Sequence, residues 1–145
     1  MSLQIKFKIV TPERTVLEDT VFQATLPVME GEVTILPNHR SYIAALKPGE
    51  IILKKESENG EEINLAVSGG FIEFHDNCLV VLADAADRAE EIDIKEVEEA
   101  KKRAENLKNK AISTDDATYA RVAAEIEKAS ARLKVAMKHR RRKGL

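Results

Sequence analysis

Asp84 divides the chain into two parts that obey different periodicities, and this switch limits what it can fold into. Before Asp84, apolar residues alternate with polar ones and short runs end in Gly, Pro or Asn. After it there is no proline, and no glycine until Gly144, while Ala, Glu and Lys dominate. A period of two demands strands, and a long stretch without breakers demands helices. The predicted architecture is α+β: an N-terminal antiparallel β-sandwich or flattened barrel over residues 1–87, then a C-terminal α-helical hairpin over 88–145.

"LQIKFKIV" sets Leu3, Ile5, Phe7 and Ile9 against Gln4, Lys6 and Lys8, the pattern of a half-buried strand. Similar runs are predicted at Val21–Leu26, Val33–Leu36, Ile51–Lys55, Ile63–Val67, Phe71–Phe74 and Leu79–Leu82. Turns are expected at Glu30–Gly31, Pro37–Asn38, Pro48–Gly49, Asn59–Gly60, Gly69–Gly70 and Asp76–Asn77. Asn59–Gly60 carries the strongest hairpin signal, because a type I′ turn needs positive φ at both central residues.

In the second part Asp93 is the expected N-cap of a helix with Ile94, Val97, Ala100, Ala104 and Leu107 on one stripe. "AISTDDA" breaks that stripe, and Ser113 with Asp116 resembles a capping box opening a second helix. That helix presents Tyr119, Val122, Ile126, Ala129, Leu133 and Ala136–Met137 at coiled-coil spacing. Both stripes are thin and alanine-rich, so the pair buries little area and grips the sandwich with few large side chains.

Charge is as uneven as composition. The chain holds 23 Lys+Arg against 25 Asp+Glu, yet no acidic residue follows Glu127. Lys128, Arg132, Lys134, Lys138, Arg140, Arg141, Arg142 and Lys143 put eight positive charges in the last 18 residues, leaving residues 1–127 at −10. The cationic end calls for an anionic partner.

Catalytic signatures are missing. His39, His75 and His139 are dispersed without a second ligand at metal spacing, so no metal site is expected. "VSGGF" lacks the Lys-Ser/Thr of a phosphate loop, and a tight turn accounts for its glycines. The single cysteine, Cys78, sits in an apolar run where a buried thiol is the default. No apolar run approaches the roughly 18 residues of a membrane span, so the expectation is a soluble, unexported chain that is not an enzyme on its own.

Two stretches, "EGEVTILPNHRSYIAALKPGEI" and "AVSGGFIEFHDNCLVVLADAADRAEEID", resemble the signature segments of the epsilon subunit of F-type rotary ATP synthases, in order, spacing and sandwich-then-hairpin layout. The resemblance implies a non-catalytic central-stalk rotor subunit of a proton-translocating synthase, bound to the gamma subunit, the ring of c subunits and the alpha and beta subunits. It implies a peripheral location on the cytoplasmic face of the cell membrane. On the same basis Thr11, Glu30, Gly31 and Glu32 face the c-ring, and His39 and Arg40 face gamma. The hairpin, extended along gamma, would inhibit ATP hydrolysis by pairing Arg132, Lys134, Lys138, Arg140, Arg141 and Arg142 with an acidic segment of the beta subunits.

Some members of that family bind regulatory ATP through Ile-Asp-x-x-Arg-Ala. Here Ile92–Asp93 is followed by Glu96 and Val97 in place of Arg and Ala. The carboxylate repels phosphate, although Asp93, Arg103, Arg121, Lys128 and Arg132 otherwise match the site; ATP binding is expected to be absent or no tighter than about millimolar. No other cofactor is implied. Val33–Thr34 and Arg40–Ser41 also depart from the family's usual Leu-Gly and Ala-Pro. The alternative to the rotor assignment is a nucleic-acid-binding module using the basic tail, against which stand the acidic remainder and the lack of aromatics after Tyr119.

Overall fold

Ile5, Phe7 and Ile9 point into a dry core while Lys6 and Lys8 stay exposed, so the alternation read from the sequence directly builds the first strand. The computed structural model describes residues 4–111 and 116–144. Its strands are β1 (Ile5–Val10), β2 (Thr15–Val21), β3 (Gln23–Val28), β4 (Gly31–Ile35), β5 (Tyr42–Lys54), β6 (Glu62–His75), β7 (Cys78–Ala83) and β8 (Ala86–Arg88). A 3₁₀ turn, Ala89–Glu91, leads into α1 (Ile94–Ala111), and α2 (Asp116–Arg142) follows. Leu3 and the Ser113 half of the expected capping box lie outside the described residues.

The sheet runs β2-β1-β7-β6-β5-β3-β4, with β8 also on β6, and it stays open at β2 and β4. The sandwich followed by a helical hairpin matches the sequence expectation. One pair is parallel: β1 lies beside β7, with Phe7 opposite Leu79. Strands so distant along the chain are free of the hairpin constraint that makes neighbours antiparallel.

Several predicted boundaries shift. The run Val21–Leu26 is split at Phe22 between β2 and β3, and the rest of β2, residues 15–20, was not anticipated. Its sequence TVLEDTV buries Val16 and Val21 but exposes Glu18 and Thr20, so polar residues dilute its apolar signal. Pro48–Gly49 and Gly69–Gly70 are not turns. They lie inside β5 and β6, which stay paired across them from Tyr42↔Phe74 to Lys54↔Glu62. Asn59–Gly60 is not a type I′ turn either, since neither residue has positive φ. A loop over 55–61 closes instead through Gly60 N–H to Ser57 O and Lys55 N–H to Glu61 O, each 2.9 Å. The two-residue turn with both φ positive is Asp76–Asn77, at 48° and 59°.

The glycine pair is a kink that reverses the faces of the ribbon. On β6, Leu65 and Val67 point into the core before the kink, and Ile72 and Phe74 after it. Inward positions therefore change from odd to even. β5 changes with it, from Leu46 to Ile51 and Leu53. β6 pairs with β8 on one side of the kink (Val67↔Ala86) and with β7 on the other (Gly70↔Ala83). Gly69 and Gly70 have φ of +104° and +117°, and a Cβ on Gly70 would stand 2.0 Å from the Leu82 carbonyl oxygen.

Gly70→Ala is therefore expected to cost at least about 3 kcal/mol and to lower the thermal midpoint by roughly 10 °C, measured by circular dichroism. Gly31→Ala, at φ +135° but facing open space, should cost only about 1–2 kcal/mol of backbone strain.

Candidate functional site

The outward face of β6 opposite α2 is built from a row of three strands. Register places Glu50 of β5, Ala66 of β6 and Asp87 of β8 side by side. Ala66 faces away from the sandwich core yet is buried, because α2 lies on it. It forms a second apolar cluster with Ala89, Ile92, Val97, Ala129, Val135 and Ala136, edged by Ile94 and Leu133. The small residue at 66 suits close approach of an alanine-rich helix.

Charged groups frame this contact. Lys138 Nζ lies 3.0 Å from Glu50 Oε1, and Arg132 Nε lies 3.0 Å from Asp87 Oδ2, off the line of a hydrogen bond. Arg142 pairs with the Glu62 carboxylate and donates from Nη2 to the Glu62 carbonyl oxygen at 3.3 Å. Asn64 is only 2 % exposed, and its Nδ2 donates to Glu50 Oε2 at 3.0 Å. Half of the six cations assigned to an external carboxylate partner are thus paired within the chain. Lys134, Arg140 and Arg141 are exposed, and no ion pair among the described residues includes them.

The base of the hairpin is tied separately. Asp93 caps α1 as expected, accepting from Glu96 N–H at 3.2 Å. Arg88 donates twice to the Val16 carbonyl oxygen, at 3.1 and 3.0 Å. Arg14 reaches Glu91 at 2.8 Å, and its hydrogen bond and charge hold the Glu91 carboxyl below the usual carboxylate range while raising Arg14. The stripe predicted for α2 is only partly buried. Val122, Ala129 and Ala136 are covered, Val135 joins them, and Tyr119 and Met137 stay exposed in part. The helix faces α1 and the sheet in turn, so a single heptad seam does not describe it.

The other predicted residues are dispersed. Thr11 Oγ1 accepts from the N–H groups of Glu13 and Arg14 in the β1–β2 turn. Gly31 and Glu32 open β4 just after the turn residues Met29 and Glu30, and no hydrogen bond or ion pair among the described residues joins them to Thr11. His39 meets Phe74 edge-on at 5.8 Å and Tyr42 at 6.1 Å, and its Nδ1 is 2.7 Å from Arg40 O. Asn38, at φ 66°, and Asn77 bond each other across the two turns at 2.6 and 3.0 Å. Arg40 remains exposed. Arg103, Lys128 and Arg132 do converge, on a cavity of about 310 Å³ between α1 and α2; Asp93 and Arg121 do not line it. Cys78, expected to be buried, is exposed.

Sequence reasoning missed an apolar face on the far side of the kink. Ile43, Phe71 and Leu82 are 72, 61 and 56 % exposed, and register sets Ala45, Phe71 and Leu82 in one row across β5, β6 and β7. Its signal was the unbroken apolar run "CLVVLA", which alternation on one face does not require. The carboxylates Glu50, Glu62 and Asp87 were also missed. They are ordinary charges in the sequence until register aligns them.

An exposed apolar strip on a rigid sandwich and a cationic helix laid across its other face are the marks of a module that works by contact with other proteins. Residues 4–89 match the family model of the ATP synthase delta/epsilon chain β-sandwich domain, and residues 90–137 match that of its long α-helix domain. Among curated relatives, the ATP synthase epsilon chain of Dehalococcoides mccartyi is 45 % identical over 142 residues, covering 95 % of this chain and 96 % of that one. That of Herpetosiphon aurantiacus is 40 % identical over 140 residues, covering 97 and 99 %. Among solved structures, one chain of the Euglena gracilis mitochondrial ATP synthase OSCP/F1/c-ring assembly superposes with a TM-score of 0.76 at 25 % identity, covering 94 % of this chain and 83 % of that one. The chain belongs to the ATP synthase delta/epsilon chain family.

Proposed function

We propose that the chain is a non-catalytic rotor subunit of a proton-translocating ATP synthase, seated in the central stalk on gamma and the c-ring and inhibiting ATP hydrolysis through its hairpin. The observation that carries this reading is the match of both halves, in order, to the two domains of one family. Its place is peripheral, on the cytoplasmic face of the cell membrane; no helix among the described residues is long and apolar enough to cross a bilayer. The junction between anchor and arm is set at residues 87 and 88.

Each partner is assigned a surface. The β3–β4 turn with Glu30, Gly31 and Glu32, together with Thr11, meets the polar loops of the c-ring. Gamma takes the strip Ile43–Phe71–Leu82, with Arg40 at its edge and His39 acting through the turn it braces. The extended arm offers Arg132, Lys134, Lys138, Arg140, Arg141 and Arg142 to an acidic segment of the beta subunits, where arginine forks suit carboxylates. Docked and extended arms are close in free energy, because these partly solvated ion pairs contribute about 0–1 kcal/mol each and the apolar seat is small.

ATP is a poor ligand of the α1–α2 cavity. Arg132 is already engaged by Asp87, and the Glu96 carboxylate replaces the guanidinium that family members use. The nucleic-acid alternative is not supported by any of the relatives above, and Arg132, Lys138 and Arg142 are paired with carboxylates of this chain.

Truncation after Lys128 should leave assembly intact and raise the hydrolysis rate of the assembled complex; an unchanged rate removes inhibition from the account. Phe71→Asp should reduce recovery of gamma with the tagged subunit by about tenfold or more without unfolding the sandwich, since the site is exposed. Calorimetric titration with ATP should give a dissociation constant no tighter than about millimolar, and a micromolar value would overturn the weak-binding assignment.

A further inference from the structure

Resting on the arm reading above, we infer that Glu50, Glu62 and Asp87 form an ionic latch that holds the arm by occupying the same cations it would present elsewhere. The three carboxylates sit on three adjacent strands around Ala66, two of them in its own cross-strand row and Glu62 four residues away on the same face of β6. Their partners Arg132, Lys138 and Arg142 are spread along about 15 Å of α2, so the helix is held over its whole C-terminal half.

Two of the three carboxylates keep a partner when the latch opens. Glu50 keeps the hydrogen bond from Asn64, whose amide orients one carboxylate oxygen and leaves the other for Lys138. Glu62 keeps Lys54, 3.6 Å away on the neighbouring strand. The side chains of Glu50 and Glu62 are 18 and 17 % exposed, while those of Lys138 and Arg142 are 37 and 34 % exposed. Water and salt therefore reach the pairs from the helix side. An acidic surface elsewhere competes for the arm one carboxylate at a time.

The test is amide hydrogen exchange in the full-length chain. E50Q/E62Q/D87N should raise exchange in the C-terminal half of α2 by about tenfold or more while β5 and β6 keep their protection. Raising KCl from about 0.05 M to about 0.5 M should loosen α2 in the unmodified chain and add little in the triple variant. E18Q/E56Q/E58Q, equal in charge but away from the row, should leave α2 as it is. Unchanged α2 exchange in the first variant, or equal loosening in the second, overturns the latch. Hydrolysis by the assembled complex separates this from the inhibitory role. With E50Q/E62Q/D87N it should fall; a loosened α2 with unchanged hydrolysis supports the latch and sinks the inhibition.

Discussion

Everything outside the core depends on the approach of Gly70 to the Leu82 carbonyl oxygen. Only a residue without a Cβ fits there, and only glycine readily adopts the φ values found at 69 and 70. Because the chain kinks at this point, β6 exchanges one neighbour for another and reverses its faces within a single continuous strand. Ala66 consequently looks toward α2 and Phe71 looks away from the core on the other half of the ribbon. The acidic row and the apolar strip are consequences of that one contact.

The two halves are held by different kinds of force. The sandwich has a core of fully buried aliphatic and aromatic side chains drawn from every strand, and such packing tolerates little change. The arm rests on a small cluster of four alanines, two valines and an isoleucine, with three ion pairs around it. Alanine contributes little area, and partly solvated pairs contribute little free energy. A rigid platform and a lightly held helix can therefore coexist in one short chain.

Much of this was legible in the residues. Period-two runs located most strands, the loss of Gly and Pro marked the helices, and Asp93 was recognised as a cap. What failed were positions where a local signal has two meanings. A Gly-Gly pair marks a turn or a kink, and only the proximity of β7 decides which. Asn59–Gly60 is compatible with a tight hairpin, but pairing of Lys54 with Glu62 leaves a seven-residue loop in which positive φ is not needed. The cationic tail was visible; its partners inside the chain were not, because Glu50, Glu62 and Asp87 come together only through strand register. For the same reason His39 and Arg40 were legible as a corner, while the row of Ala45, Phe71 and Leu82 beyond it was not.

The parallel pairing of β1 with β7 also dictates an order of events during synthesis. β1 finds its second neighbour roughly seventy residues later, so the sandwich closes only after β7 has been made. By then Glu50 and Glu62 are already in place, Asp87 follows within a few residues, and α2 emerges last. The cationic helix thus follows an acidic platform that precedes it in the chain, and its carboxylate partners are in place by the time it folds.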